Sequence, residues 1–422
     1  MKKTSFFIII FILCAMLVFT SCGTLTKNKK ETEKGDSEKT ARLSDSVRAM
    51  WISQFDLTLM CVKEGKQRKK DEYLSRVALM MARLLGMGIN TVFVQLRPNG
   101  DSLYPSEIFP ASPYAVGKLG ADFEYDPIEI FLSEAKRAQI SAHAWINPLR
   151  LMEDAELSSL GGEYILSKWR NDKKFYGTRI VKAENICYLN PAYAEAREIV
   201  VAGACEIMDK YAFDGIHIDD YFYPTTAESF DEDAYREYLK TGGRLALGDF
   251  RRENINKLVS ELCVAARERG KIFGVSPSGN LSRNYNELYA DVNEWCKREI
   301  VDYLCPQIYF GIEHESFPFE KTVRDFEDIC EKNNVALIIG LTLEKAHDGS
   351  VGVSDIYAGS GRDEWINNKD ILARCYEITL EKKLRGVAFF SYRLFYSPSD
   401  DSSVSETEDE RNALIAAINH LK

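Results

Sequence analysis

From about residue 42 the chain alternates between short runs rich in β-branched and aromatic residues and longer segments whose apolar positions recur every three or four residues. The short runs fall at 48–55, 90–97, 140–147, 213–220, 271–278, 301–310, 335–342 and 385–392. Helix-period segments lie between them at 72–87, 127–138, 192–212, 250–269, 288–299, 318–332 and 366–383, and an amphipathic segment at 407–421 follows the eighth run. Strands that alternate with helices pair in parallel, because each helix carries the chain back across the sheet. Eight such units are the number that closes a (β/α)8 TIM barrel, here with long insertions after several strands. An open doubly wound sheet calls for a Gly-rich phosphate turn after its first strand. The residues after Phe55 read DLTLMCVKEGK, with no such turn.

In a barrel the chemistry sits at the C-terminal ends of the strands. Those ends are polar here. The second run carries Gln95 and Arg97 and leads into Asp101; the third alternates His143, Trp145 and Asn147 on one face. The fourth presents His217 and Asp219, then Asp220 and Tyr221. The sixth ends in Gln307 and Tyr309. An inward face used only for packing would carry Val, Ile and Leu throughout. Carboxylates, amides, imidazoles and flat rings together suit a sugar polymer, which offers hydroxyls to hydrogen-bond and C–H faces to stack.

Six motifs occur in order: R-A-M-W-I-S at 48–53, V-Q-L-R-P-N-G-D-S-L-Y-P-S at 94–106, H-A-W-I-N-P at 143–148, D-G-I-H-I-D-D-Y-F-Y-P at 214–224, S-P-S-G at 276–279 and P-Q-I-Y at 306–309. The set resembles the glycosyl-hydrolase-like family ten of bacterial envelope proteins. The resemblance covers about residues 45–395 and implies a (β/α)8 fold, a glycan substrate and no required metal or organic cofactor. Some members of that family cut the glycan strands of peptidoglycan.

Glycosidic cleavage normally takes one carboxylate to attack or stabilise the anomeric carbon and one acid to protonate the leaving oxygen. Asp219 is the first candidate for the carboxylate. G-I-H-I-D resembles the strand-four motif of α-amylase-like hydrolases, and D-G-I-H-I-D-D-Y resembles the strand of chitinase-like barrels, whose final Glu is replaced here by Tyr221. Asp220 serves as a second carboxylate if the strand has ended before it, since neighbours on an extended strand face opposite ways. Asp101 is a candidate acid or a residue that orders its own loop. Glu344, after the seventh run, is placed for the cleft but lies where the family usually has an aromatic residue. Gln95, Arg97, His143, Trp145, Asn147, His217, Tyr221, Gln307 and Tyr309 are candidate sugar contacts. Arg97 is alternatively the cation that keeps Asp219 or Asp101 ionised. The long connection 148–191 is read as a surface insertion with a small hairpin or as a glycan-binding wall. The stretches 220–249 and 343–365 are read as further rims.

Composition narrows the partners. With 45% hydrophobic and 28% charged residues the chain is that of an ordinary folded protein, and its formal charge of −10 argues against nucleic acid. Lys2 and Lys3 precede an apolar run, 5–20, and Ser21-Cys22-Gly23 resembles the lipobox of bacterial lipoproteins, in which the cysteine is acylated. The expected organisation is therefore a signal peptide at 1–21, a solvated tether at 22–42 that begins at lipidated Cys22, and the barrel at 43–422. That places the barrel outside the cytoplasm and on a lipid membrane. Eight further cysteines are scattered through apolar segments without a C-x-x-C pair, as buried thiols are.

Overall fold

The computed structural model describes residues 41–351, 361–400 and 402–420. Cys22, the signal-like run and almost all of the tether lie outside the described residues, as does 352–360 of the rim expected at 343–365.

Eight parallel strands close a barrel: β1 (Val47–Ile52), β2 (Thr91–Arg97), β3 (Ser141–Ile146), β4 (Gly215–Ile218), β5 (Ile272–Val275), β6 (Tyr303–Leu304), β7 (Ala336–Thr342) and β8 (Gly386–Phe390). Each strand pairs with its sequence neighbours, and β1 closes the ring against β8 with Val47 opposite Gly386 and Met50 opposite Phe389. The helices that cover it are α1 (Lys70–Gly86), α2 (Pro127–Arg137), α3 (Ala194–Lys210), α4 (Leu247–Arg267), α5 (Val292–Lys297), α6 (Phe319–Asn333), α7 (Ile371–Glu381) and α8 (Glu408–His420).

Local chemistry sets the boundaries. α1 buries Tyr73, Val77, Met80, Met81 and Leu84, one stripe at helical spacing. α2 starts where the Asp126 side chain accepts from the Ile128 and Glu129 amides, with Pro127 preset for the first turn. The outward strand residues, such as Val92, Val94, Ile216, Ile218, Ile339 and Leu341, pack under the helices in one continuous core. Each such side chain contributes about 1.5–3 kcal/mol on burial. A second, smaller core fills the barrel itself and includes Ala49, Trp51, Phe93, Trp145, Tyr303 and Ile338.

Four expectations shift. The strand expected at 213–220 ends at Ile218, and that at 301–310 ends at Leu304 because Pro306 has no amide hydrogen for the ladder. The chain then returns at Gln307 as single bridges to Ser278 and Gly340. The helix expected at 288–299 starts only at Val292, where Asp291 caps it. An unexpected helix, Gln54–Cys61, follows β1; Ser53 and Asp56 form its capping box. The insertion after β3 holds a three-stranded antiparallel sheet of Arg150–Glu153, Ile186–Leu189 and Ile180–Ala183. The eight cysteines from Cys61 to Cys375 are all free thiols, seven of them buried.

Candidate active site

The C-terminal ends of the strands open into a cleft of about 700 Å³. Its floor begins with Trp51, on the inward face of β1, which meets Phe93, His217 and Phe390 edge-on. Above it, Gln95 accepts from the Gln54 amide and donates through Nε2 to Asn147 Oδ1 at 2.7 Å. Asn147 thus spends its carbonyl on Gln95 and keeps its amide nitrogen for a ligand. Trp145 donates through Nε1 to Asp219 Oδ2 at 2.9 Å, and the Tyr221 amide reaches Asp219 Oδ1 at 3.4 Å.

The early end of β4 decides the electrostatics. With the strand finished at Ile218, both Asp219 and Asp220 turn into the cleft. Asp219 is only 3% exposed. Burial, and then the charge of Asp220, pushes its carboxyl well above the usual range. Burial also raises Asp220, but Arg283 and a 3.2 Å hydrogen bond from Gln307 Nε2 hold it back. The two therefore hold their protons unequally, and the one on Asp219 persists to higher pH. Glu344 lines the same cleft and opens the helix Glu344–Val351, an end that favours negative charge. Tyr309 lies within the field of all three acids; burial raises its phenol first, and Asp220, Glu344 and Asp219 add to the rise.

Of the residues singled out from the sequence, Gln95, Trp145, Asn147, Asp219, Asp220, Tyr221, Gln307 and Tyr309 are brought together around this cleft. Tyr221 is 44% exposed at its edge. Four others are not. Arg97 follows a register shift after Gln95, which turns it away from the cleft; its guanidinium stacks 4.0 Å over Phe109 and donates to Val200 O on α3. Asp101 is buried beside the cleft wall, accepting from the Asn99 amide at 2.9 Å and from the Ser112 hydroxyl. That is the loop-ordering role, with no path to a substrate oxygen.

His143 and His217 lie one layer below the cleft, inside the barrel. Trp51 Nε1 donates to His217 Nε2 at 3.1 Å, so that nitrogen carries no proton and His217 Nδ1 donates to the Tyr303 oxygen at 2.9 Å. The Tyr303 hydroxyl in turn donates to His143 Nδ1 at 3.0 Å. Each ring is consumed by this chain of donors. Burial pushes His143 down to about 4 and His217 further, so both are neutral.

Several residues were missed. Arg150, Tyr188, Arg283, Arg393, Phe55, Tyr114 and Phe390 also line the cleft. The loop that carries Tyr221 and Tyr223 is tied down by Arg251, which is fully buried and donates to both Asp231 oxygens, Thr226 O, Ala227 O and the Tyr289 hydroxyl. Among the described residues no group of three or more His, Cys, Asp or Glu side chains is arranged to hold a metal ion.

A closed parallel barrel with acids, amides and aromatic rings converging on an open cleft at its C-terminal rim is the architecture of a glycoside hydrolase. The chain belongs to the glycosyl hydrolase-like 10 family, whose pattern matches residues 46–355. Among curated relatives, glycosyl hydrolase YngK of Bacillus subtilis is 30% identical over 330 residues, which are 73% of this chain and 62% of that protein. The chain thus spans less than two thirds of YngK. Glycosyl hydrolase DigH of Escherichia coli is 27% identical over 426 residues, covering 92% of this chain and 93% of DigH. Two solved structures share the fold at 11% identity. The glycoside hydrolase domain of PgaB (BpsB) from Bordetella bronchiseptica has a TM-score of 0.53 over 87% of this chain and 99% of its own. The catalytic domain of β-amylase from Paenibacillus polymyxa has a TM-score of 0.55 over 89% of this chain and 99% of its own.

Proposed function

We propose that this chain hydrolyses glycosidic bonds in the glycan strands of the bacterial cell wall, held outside the cytoplasm by an acyl chain on Cys22. The observation that carries the hydrolytic reading is the cleft itself: Asp219 protonated at the end of β4, with Glu344 entering from the end of β7. In this mechanism Asp219 donates its proton to the leaving glycosidic oxygen as the bond to the anomeric carbon breaks. Glu344 supports the positive charge that develops there, and water supplies the new hydroxyl. Asp220 keeps its negative charge beside Asp219 and so keeps the proton on it. Trp145 and Asn147 orient the sugar, while Tyr221, Tyr188 and Phe55 offer flat faces at the edges. The wall glycan is favoured by the family resemblance of the six motifs and by the export and lipidation pattern at the N-terminus.

The test is release of soluble fragments from purified peptidoglycan stripped of its stem peptides, by the unsubstituted chain and by Asp219→Asn. Release by the first and not the second supports the reading. Pull-down without release makes the protein a glycan binder, and release only from an α-glucan or another polysaccharide moves the substrate elsewhere.

A further inference from the structure

The chain is acidic overall, yet Arg150, Arg283, Arg393 and Lys345 all reach the cleft. Arg150 differs from its neighbours. On the same insertion Arg170 holds Asp154 and Arg179 holds Glu195, at 2.6 and 2.9 Å. Among the described residues no carboxylate pairs with Arg150, and its Nε is buried without a hydrogen-bond partner. Asp220 feels Arg283. The Arg150 guanidinium instead lies 5.6 Å from the Tyr221 ring centre, and Arg150 stands opposite Tyr188 on the small antiparallel sheet. A cation half withdrawn from water with a donor unsatisfied is costly, and a neutral hydroxyl compensates it poorly. A carboxylate matches the guanidinium fork with two parallel N–H bonds.

We propose that Arg150 forms an anion subsite of the cleft that binds a carboxylate carried on the glycan. This rests on the reading of the cleft as a site for wall glycan. Strands stripped of stem peptides bear a free lactyl carboxylate on alternate sugars; in peptide-bearing strands that group is tied up as an amide. Arg150 therefore discriminates by charge, while Asp219 and Glu344 act on the bond.

The experiment compares stripped peptidoglycan glycan with the same material after conversion of its carboxylates to methylamides. For the unsubstituted chain, kcat/KM is expected to fall roughly 10- to 100-fold on the neutral glycan, mainly through KM. Arg150→Ala is expected to lose a similar factor on the acidic glycan and to treat both materials alike, with an unchanged melting temperature. Arg150→Lys recovers part of the discrimination. Equal cleavage of both glycans by the unsubstituted chain, or undiminished discrimination by Arg150→Ala, overturns the subsite and leaves the hydrolase reading intact. Cleavage of neither glycan by the unsubstituted chain overturns both.

Discussion

His143 and Trp145 share one face of β3; His217 and Asp219 share one face at the end of β4. Only two residues separate each pair, yet the lower members are sealed and the upper ones are open. The lower layer is closed by shape. A Cβ on Gly215 would come within 3.0 Å of the His143 ring, and one on Gly274 would overlap the Tyr303 ring at 1.9 Å, so these two glycines make the room in which the polar rings meet. Once there, His143, Tyr303, His217 and Trp51 satisfy one another in series. The upper layer has no such closure: Trp145 and Gln307 orient Asp219 and Asp220 without covering them. Alternation along a strand fixes which face a residue takes, and depth in the barrel decides whether it meets substrate.

If the layers divide the work in this way, the largest effect belongs to the top one. Asp219→Asn is expected to lower the rate of glycan release by about 10²- to 10⁴-fold, with a melting temperature close to the parent's. Arg251→Met attacks the support of the upper layer. Removing one member of a fully buried ion pair that also carries the 226–231 loop is expected to cost about 3–5 kcal/mol in urea unfolding. His217→Leu strikes the lower layer and leaves the Trp51 N–H and the Tyr303 hydroxyl without partners. A loss of about 1–3 kcal/mol is expected, with activity per folded molecule within a few-fold of the parent. A collapse of activity as deep as that of Asp219→Asn would erase the distinction between layers. The smallest change is none at all: the ¹⁵N shifts of both imidazoles are expected to stay those of neutral rings from about pH 8 to about pH 5, since burial lowers both. A transition near the ordinary histidine value would mean that water reaches the lower layer.

The fold was legible because period and count survive local irregularity. Eight β-rich runs separated by helical ones allow few closed arrangements, and moved boundaries at Ile218 and Leu304 do not change the topology. The site was legible only in part. That Asp219 and Asp220 enter the cleft together depends on where β4 ends, which period-two alternation does not mark. Arg97 left the cleft through a one-residue register shift that has no signature in V-Q-L-R. Asp101 was drawn into its loop by the turn at Gly100, whose φ of +69° suits glycine. Arg251 did leave a trace, because it falls on the helical stripe of Asn254, Ile255 and Leu258 that α4 buries. Arg150 left a weaker one, a cation just past the end of a barrel strand.

The assignment of the proton to Asp219 is tested most directly by the alkaline limb of the kcat/KM–pH profile, in the parent and in Asp220→Asn. Asp219 is raised by burial and by the charge of Asp220, so as an acid it should sustain activity at low and neutral pH and lose it as pH climbs through its elevated pKa. Removing the neighbouring charge lowers that pKa, and the limb is expected to move to lower pH. A limb that stays in place, or activity that rises with pH where it should fall, would contradict proton donation by Asp219.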